Sequence, residues 1–230
     1  MRQFRTRCII LNRTDYGEAD RIITFLTPDQ GKVKAIAKGV RKSKSKLAGG
    51  IELFSISDIS FIPAKREIGT VVSTRLIDHY GEIVKDIDRT NAGYSFIKKL
   101  DKATEDAAES DYFSLLEESF KALDNHDLDL QLIVVWFDAQ LLRLAGHTPN
   151  LRTDDKGEKL DPNDKFDFNF DNMGFDVSES GHFDKDHIKF LRLLFSDNHP
   201  GTLSKVARSA QLAADVSPPV LSMLQLYVRT

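Results

Sequence analysis

The chain has 230 residues, 41% hydrophobic and 29% charged, with a formal net charge of -3, enough apolar content to bury a core in one large domain or two small ones and to exclude a disordered chain. Its longest apolar run, Leu132 to Phe137, is far below the roughly 18 residues of a membrane helix, and the patch Cys8 to Leu11 is too short for a signal-peptide core, so a cytoplasmic protein without a membrane partner is expected. Cys8 is the single cysteine, which excludes an internal disulfide and any all-cysteine zinc site.

Charge divides the chain unevenly. Residues 1–80 carry 15 Lys/Arg against 8 Asp/Glu, whereas residues 81–230 carry 17 against 27. A basic first third and an acidic remainder predict two units with different partners, at 1–80 and 81–230, with phosphate backbones drawn to the first.

In the first 80 residues, five short runs rich in Ile, Val, Phe and Thr read as strands: Arg5 to Asn12, Arg21 to Thr27, Lys32 to Lys38, Glu52 to Ile62 and Ile68 to Ile77. Turn signals separate them at Asp15-Tyr16-Gly17, Pro28 to Gly31, Gly49-Gly50 and Pro63. Five short strands suit a small barrel, and the five-stranded OB-fold is the expected form. In the third run, alternation puts Lys32, Lys34 and Lys38 on one face with Ile36, and Val33, Ala35 and Ala37 on the core side. Gly39 to Lys46 follows, so Gly31 to Lys46 holds seven basic residues and no acidic one, in a loop whose Gly and Ser predict flexibility.

From residue 81 the period becomes helical. Phe113, Leu116, Phe120 and Leu123 form one apolar stripe, and Leu128 to Ala145, with Trp136, is apolar almost all round, as in a helix central to a bundle. Residues 147–185 interrupt the helices. Asp154 to Asp186 holds 11 Asp/Glu against 4 Lys, and Phe166, Phe168 and Phe170, the Asn172-Met173-Gly174 turn, then Phe175 and Val177 read as an inserted hairpin. A helix over His187 to Phe195 stops at His199-Pro200-Gly201; Thr202 is expected to cap a helix to about Ala214, and Ser217-Pro218 to open a last one.

Catalytic motifs are missing: no Walker-type phosphate loop, no G-x-G-x-x-G, no H-E-x-x-H and no G-x-S-x-G elbow occur. Cys8, in an apolar strand without basic flanks, reads as an inert buried thiol. His147, His182 and His187 fit no standard metal spacing and read as solvated, and the acidic segment lacks a calcium-loop register. No cofactor, no metal and no enzyme activity are expected.

Nucleic-acid binding has positive support. Lys32, Lys34, Lys38, Arg41, Lys42, Lys44 and Lys46, with Arg13 and Arg21 nearby, offer cations that track phosphates without reading sequence. Tyr16, amid polar residues, is the candidate for stacking on a base, while Phe25 and Phe61 read as core. At the C-terminus, Ser204 to Ala213, Asp215 to Ser217 and Pro218 to Val228 have the cadence of a helix-turn-helix, but the last element is too apolar to read base edges and reads as a packed hairpin. Arg143, Lys189, Arg192, Lys205 and Arg208, on predicted helices, are candidates to supply the cation of an apolar groove for an acidic, hydrophobic peptide.

Thr14 to Thr24, Gly31 to Lys42 and Leu47 to Phe54 resemble, in order, successive N-terminal signatures of the RecO family, bacterial mediators of DNA repair and recombination. Leu141 to Leu151, with Gly146, Pro149 and Asn150, is similar to the end of that family's central helix. The resemblance implies an N-terminal OB-fold and a helical C-terminal domain, binding of single- and double-stranded DNA, and annealing of complementary strands. It also implies partnership with RecR and with the acidic tail of single-stranded DNA-binding protein, to help load RecA, without nucleotide hydrolysis, and a place at the nucleoid. Many family members carry a four-cysteine zinc module where this chain has Arg152 to Gly157, so a zinc-free hairpin held by Phe packing is expected here. From the residues alone, an OB-fold RNA-binding or ribosome-associated factor stays open beside this reading.

Overall fold

The computed structural model describes residues 3–64, 68–104 and 110–228. The chain is mixed α+β and forms two compact units, Met1–Asn125 and His126–Thr230.

In the first unit, strands β1 (Phe4–Tyr16), β2 (Asp20–Thr27), β3 (Gly31–Ala37), β4 (Ser55–Ile62) and β5 (Gly69–His79) close a barrel in the order β1-β2-β3-β5-β4. Every neighbouring pair is antiparallel except β3 and β5, which run parallel through Ala35 opposite Gly69 and Ile36 opposite Thr70. This is the expected OB-fold. Alternation builds its interior: Cys8 and Ile10, Ile23 and Phe25, Ala35 and Ala37, Ile59 and Phe61, and Val71 point inward from successive strands. Between β3 and β4, Val40 and Ile51 enter the same core while Leu47, Ala48 and Leu53 pack against it. At roughly 1.5–3 kcal/mol for each fully buried aliphatic side chain, these anchors hold the 38–54 segment to the barrel. It is a succession of turns rather than the flexible loop its Gly and Ser suggested. β1 also runs four residues past the expected Asn12, because pairing of Arg13 to Tyr16 with Asp20 to Ile23 extends the hairpin without any apolar alternation.

Helices α1 (Ile87–Ala103) and α2 (Ser110–Asp124) belong to the same unit. Asp86 caps α1 by accepting from the Asp88 and Arg89 amides. The stripe Phe113, Leu116, Phe120 and Leu123 is buried. The keystone is Phe54, which holds a left-handed φ of 54°. Its ring meets Tyr94 of α1 at 5.2 Å and Phe120 of α2 at 5.5 Å, and its carbonyl accepts from the Tyr80 amide. Gly93 makes this approach possible, since a Cβ there would lie 2.6 Å from the Phe54 ring.

In the second unit, α3 (Leu130–Leu144) is buried on nearly every side, including Trp136, whose indole donates to the Asn198 carbonyl at 2.7 Å. Strands β6 (Phe166–Asn169) and β7 (Gly174–Val177) form the expected hairpin. Phe168 meets Phe170 and Phe175, and Phe175 meets Phe183, all edge to face at 4.9–5.5 Å. Where a zinc module would sit, Asp154 holds the turn instead, its carboxylate accepting from the Lys156 and Glu158 amides. The one cysteine is in β1, so a four-thiolate set does not fit this segment.

The C-terminal helices depart from expectation. After α4 (Lys185–Leu194), His199 rather than Thr202 caps the four-residue α5 (Pro200–Leu203). Helix α6 (Ser209–Tyr227) then runs unbroken through Pro218 and Pro219. Each proline costs about 3 kcal/mol in a helix interior. Yet Leu212, Ala213, Val216, Pro219, Val220, Met223 and Leu224 make one buried stripe, seven residues that tie α6 to α3 and outweigh the lost donors. Asp215 to Ser217 is therefore helical, and the helix-turn-helix cadence has no turn. The Gly93→Val substitution should lower stability by about 1–3 kcal/mol through overpacking against Phe54, read by urea denaturation; unchanged stability would contradict this account of Phe54.

Candidate nucleic-acid interface

The basic segment is positioned by backbone hydrogen bonds to the β1–β2 hairpin. The Arg41 amide donates to the Ala19 carbonyl at 2.9 Å, and the Gly39 amide to the Asp20 carboxylate at 2.7 Å. Gly39 takes φ +65°, the left-handed conformation that a residue with a Cβ disfavours, and so turns the chain out of β3. The Lys42 amide then donates to Gly39, and the Ser45 amide to Lys42, in consecutive turns. At the far end, the Thr74 hydroxyl on β5 donates to the Leu47 carbonyl at 3.0 Å. With Ala35, Ala37 and Val40 turned into the core, Lys34, Lys38, Arg41, Lys42, Lys44 and Lys46 are left exposed.

The cations fall into two groups. Among the described residues, Lys34, Lys38, Lys42, Lys44 and Lys46 pair with no carboxylate. The arginines and Lys32 are engaged. Arg21 lies 2.8 Å and Arg41 3.4 Å from the two oxygens of Asp15, and Arg13 lies 2.7 Å from Glu52. The Arg21 hydrogen bond, helped by the charges of Arg41 and Arg13, holds the Asp15 carboxyl below its ordinary range. Lys32 Nζ donates to the Asp101 and Thr104 carbonyls and to the Asp101 carboxylate, at 2.7–3.1 Å. Lys32 thus caps the C-terminal end of α1, where a cation also suits the helix dipole. Tyr16 stands 54% exposed at the hairpin tip beside this segment.

Reading the sequence missed Arg5 and Arg75. They stand on β1 and β5 and share the Asp58 carboxylate of the intervening β4. Only the strand order, which places β4 between β1 and β5, brings them together.

In the second unit the five proposed partner cations do not converge. Arg143 donates to Gln140 at 2.8 Å and lies 3.6 Å from Asp197. Lys205 and Arg208 are in the turn between α5 and α6 rather than on helices, with Arg208 at φ +61°. Lys189 and Arg192 do come together on α4, lining a small groove with Lys185, Leu160, Asp161, Pro162, Phe166 and Ile188. The Arg192 guanidinium is held there by the Leu151 carbonyl.

The histidines differ from one another. His182 is exposed, and His147 stacks on Tyr227 at 5.0 Å. His187, expected to be solvated, is buried: Nδ1 lies 2.8 Å from Asp184 and Nε2 3.2 Å from Asp215. Its position as third residue of α4 makes it part of a capping box with Asp184, which draws the ring inward. Among the described residues no three His, Cys, Asp or Glu groups converge as a metal site. Burial, with the nearby Asp58 charge, pushes the Cys8 thiol up to about 12. No described helix is long and apolar enough to cross a membrane.

These features define an OB-barrel protein with a cationic surface on the barrel, joined to a helical unit. Residues 1–80 match the family description "Recombination protein O N terminal" and residues 84–228 "Recombination protein O C terminal". The chain belongs to the recombination protein O (RecO) family. It is similar to proteins named DNA repair protein RecO in several bacteria. One from Dehalococcoides mccartyi (strain 195) is 36% identical over 150 residues, 65% of this chain and 58% of the relative. One from Roseiflexus sp. (strain RS-1) is 34% identical over 151 residues, 65% of this chain and 52% of the relative. One from Bifidobacterium longum subsp. infantis is 36% identical over 156 residues, 66% of this chain and 65% of the relative. The chain thus matches between half and two thirds of the length of these relatives.

The division among the lysines is testable. Lys32→Ala should cost about 1–2 kcal/mol of stability by stripping the α1 carbonyls of their donor, whereas Lys34→Ala should change thermal unfolding little; equal effects would contradict the capping role. The buried Cys8 should resist alkylation by iodoacetamide at pH 8 in the folded protein and react freely in urea; fast labelling without denaturant would contradict its burial.

Proposed function

We propose that the protein is a non-enzymatic DNA-binding mediator of repair and recombination, and that Lys34, Lys38, Lys42, Lys44 and Lys46 hold the sugar-phosphate backbone. The observation carrying this reading is that these five ammonium groups are exposed and unpaired among the described residues, on a segment held at fixed points to the barrel. Arg21 and Arg41, oriented by Asp15, lie beside them with donors to spare, and Tyr16 offers a ring for one base. Lys32 adds charge to the track, while its donors serve α1. Arg13, turned toward Glu52, flanks the track rather than heading it.

Contacts of this kind neutralise phosphates by charge and leave base edges free. They suit both single- and double-stranded DNA, and a surface that neutralises two strands leaves them able to pair. Family membership favours DNA over RNA as the physiological polymer. On the same reading, RecR is a partner, RecA is loaded indirectly, and the protein acts at the nucleoid. The α4 groove, whose lining sets three cations, Lys185, Lys189 and Arg192, against one carboxylate, Asp161, beside apolar Leu160, Pro162, Phe166 and Ile188, suits the acidic, hydrophobic tail of single-stranded DNA-binding protein.

Charge reversal gives the test. Changing Lys42, Lys44 and Lys46 together to Glu should weaken binding of a fluorescent oligonucleotide at least tenfold at moderate salt. It should also flatten the log-log salt slope by about 2, the loss expected for three single-strand phosphate contacts. Unchanged affinity and slope would remove this segment from the interface. For the groove, Lys189→Glu should weaken a fluorescent acidic tail peptide severalfold without altering DNA affinity, and no change would place the peptide elsewhere.

A further inference from the structure

The outer wall of the barrel carries a second cationic feature that the lysine track does not include. Strand pairing sets Arg7, Asp58 and Arg75 in one row across β1, β4 and β5, and Arg5, Ser60 and Ser73 in the next. The Arg5 and Arg75 Nη2 atoms both donate to Oδ2 of Asp58, at 3.0 and 2.8 Å. Exposure is unequal: the arginine side chains are 68% and 72% exposed, while the Asp58 side chain beneath them is 19% exposed. Solvent therefore meets two guanidiniums whose shared counter-ion lies below, a net positive pair with most of its donors free. The neighbouring cation, Arg7, is committed to Glu117 on α2 and lies over the Phe113 ring. The two Arg bonds hold the Asp58 carboxyl below its ordinary range, so this counter-ion stays charged at neutral pH.

The pair is set apart from the lysine track along the sheet: β3, which carries Lys34, pairs with β5 through Gly69 and Thr70, five positions before Arg75. Thr74 binds the Leu47 carbonyl at the end of the basic segment, and successive strand residues point to opposite faces, so Arg75 points away from that contact. Paired guanidiniums on a rigid sheet match the forked geometry of a phosphodiester better than flexible ammonium groups do. The Ser73 hydroxyl, exposed in the adjacent row, adds a donor.

We propose that Arg5 and Arg75, gathered on Asp58, form a second phosphodiester-binding site on the outer wall of the barrel, through which one molecule holds a second nucleic-acid strand. The proposal rests on the reading that the lysine track holds the first strand. It gives annealing a physical basis, because two strands neutralised at two places on one small barrel are kept at high local concentration.

The experiment uses the full chain. Protein is loaded onto an immobilised oligonucleotide at saturation, and capture of a second, non-complementary fluorescent oligonucleotide is measured. Arg5→Ala with Arg75→Ala should keep first-strand affinity within about twofold and lower second-strand capture at least fivefold, a loss of the order expected for two phosphate contacts. Asp58→Asn, which removes only the counter-ion, should capture as much as the native protein or more. The proposal is overturned if the double alanine variant captures the second strand normally, if its first- and second-strand binding fall together, or if Asp58→Asn lowers capture. Should the double variant fail to fold by circular dichroism, the single variants Arg5→Ala and Arg75→Ala replace it: each should lower second-strand capture at least twofold, and unchanged capture in both overturns the proposal. A native protein that binds the first strand but captures no second also overturns it. A native protein that binds no oligonucleotide at all refutes the lysine-track reading instead.

Discussion

The inward turn of three small side chains governs the rest. Ala35, Ala37 and Val40 are buried in the barrel, and in a strand that commitment forces their neighbours outward. Lys34 and Lys38 cannot be withdrawn from solvent without pulling that row out of the core, and Val40 does the same for the turns that follow. A solvated lysine loop would leave its charges to wander. Here the hydrogen bonds from Gly39 and Arg41 to the β1–β2 hairpin, with Val40 and Ile51 in the core, hold the backbone while the lysine side chains stay exposed. Charge-based recognition benefits from both properties: fixed spacing of the cations, and side chains able to follow an irregular phosphate path.

How the protein treats its own charges is equally informative. On the barrel the arginines Arg13, Arg21, Arg41, Arg5 and Arg75 pair with Glu52, Asp15 and Asp58, while among the described residues five lysines in and after β3 pair with no carboxylate. Exposed ion pairs of this kind contribute little to stability, commonly below about 1 kcal/mol, so their value is orientation rather than strength. Asp15 and Asp58 each align two guanidiniums without cancelling both. Lys32 differs from its neighbours because α1 ends against it and uses all its donors.

Much of the fold was legible because the signals were local. Alternation in Lys32 to Lys38 and the stripe from Phe113 to Leu123 need only neighbouring residues to be read, and both appear as expected. What escaped depends on distant partners. Nothing near Phe54 announces a left-handed aromatic; Gly93, 39 positions later, makes room for it. Pro218 and Pro219 are strong stop signals, overridden only because α3 offers the rest of α6 a buried seat. His187 reads as solvated until the capping box and Asp215 are seen to hold its ring. In the candidate site, the lysines were visible as an uninterrupted basic run, whereas the sorting of paired from unpaired cations, and the Arg5–Asp58–Arg75 group, required the sheet order.

Lysine footprinting tests the central claim most directly. The native protein would be treated with a trace of amine-reactive reagent, with and without a saturating single-stranded oligonucleotide, and modification quantified at each lysine by mass spectrometry. Lys34, Lys38, Lys42, Lys44 and Lys46 should label readily alone and be protected by the oligonucleotide, while Lys32 should label slowly in both states. Protection confined to lysines of the second unit, with these five unaffected, would contradict the claim.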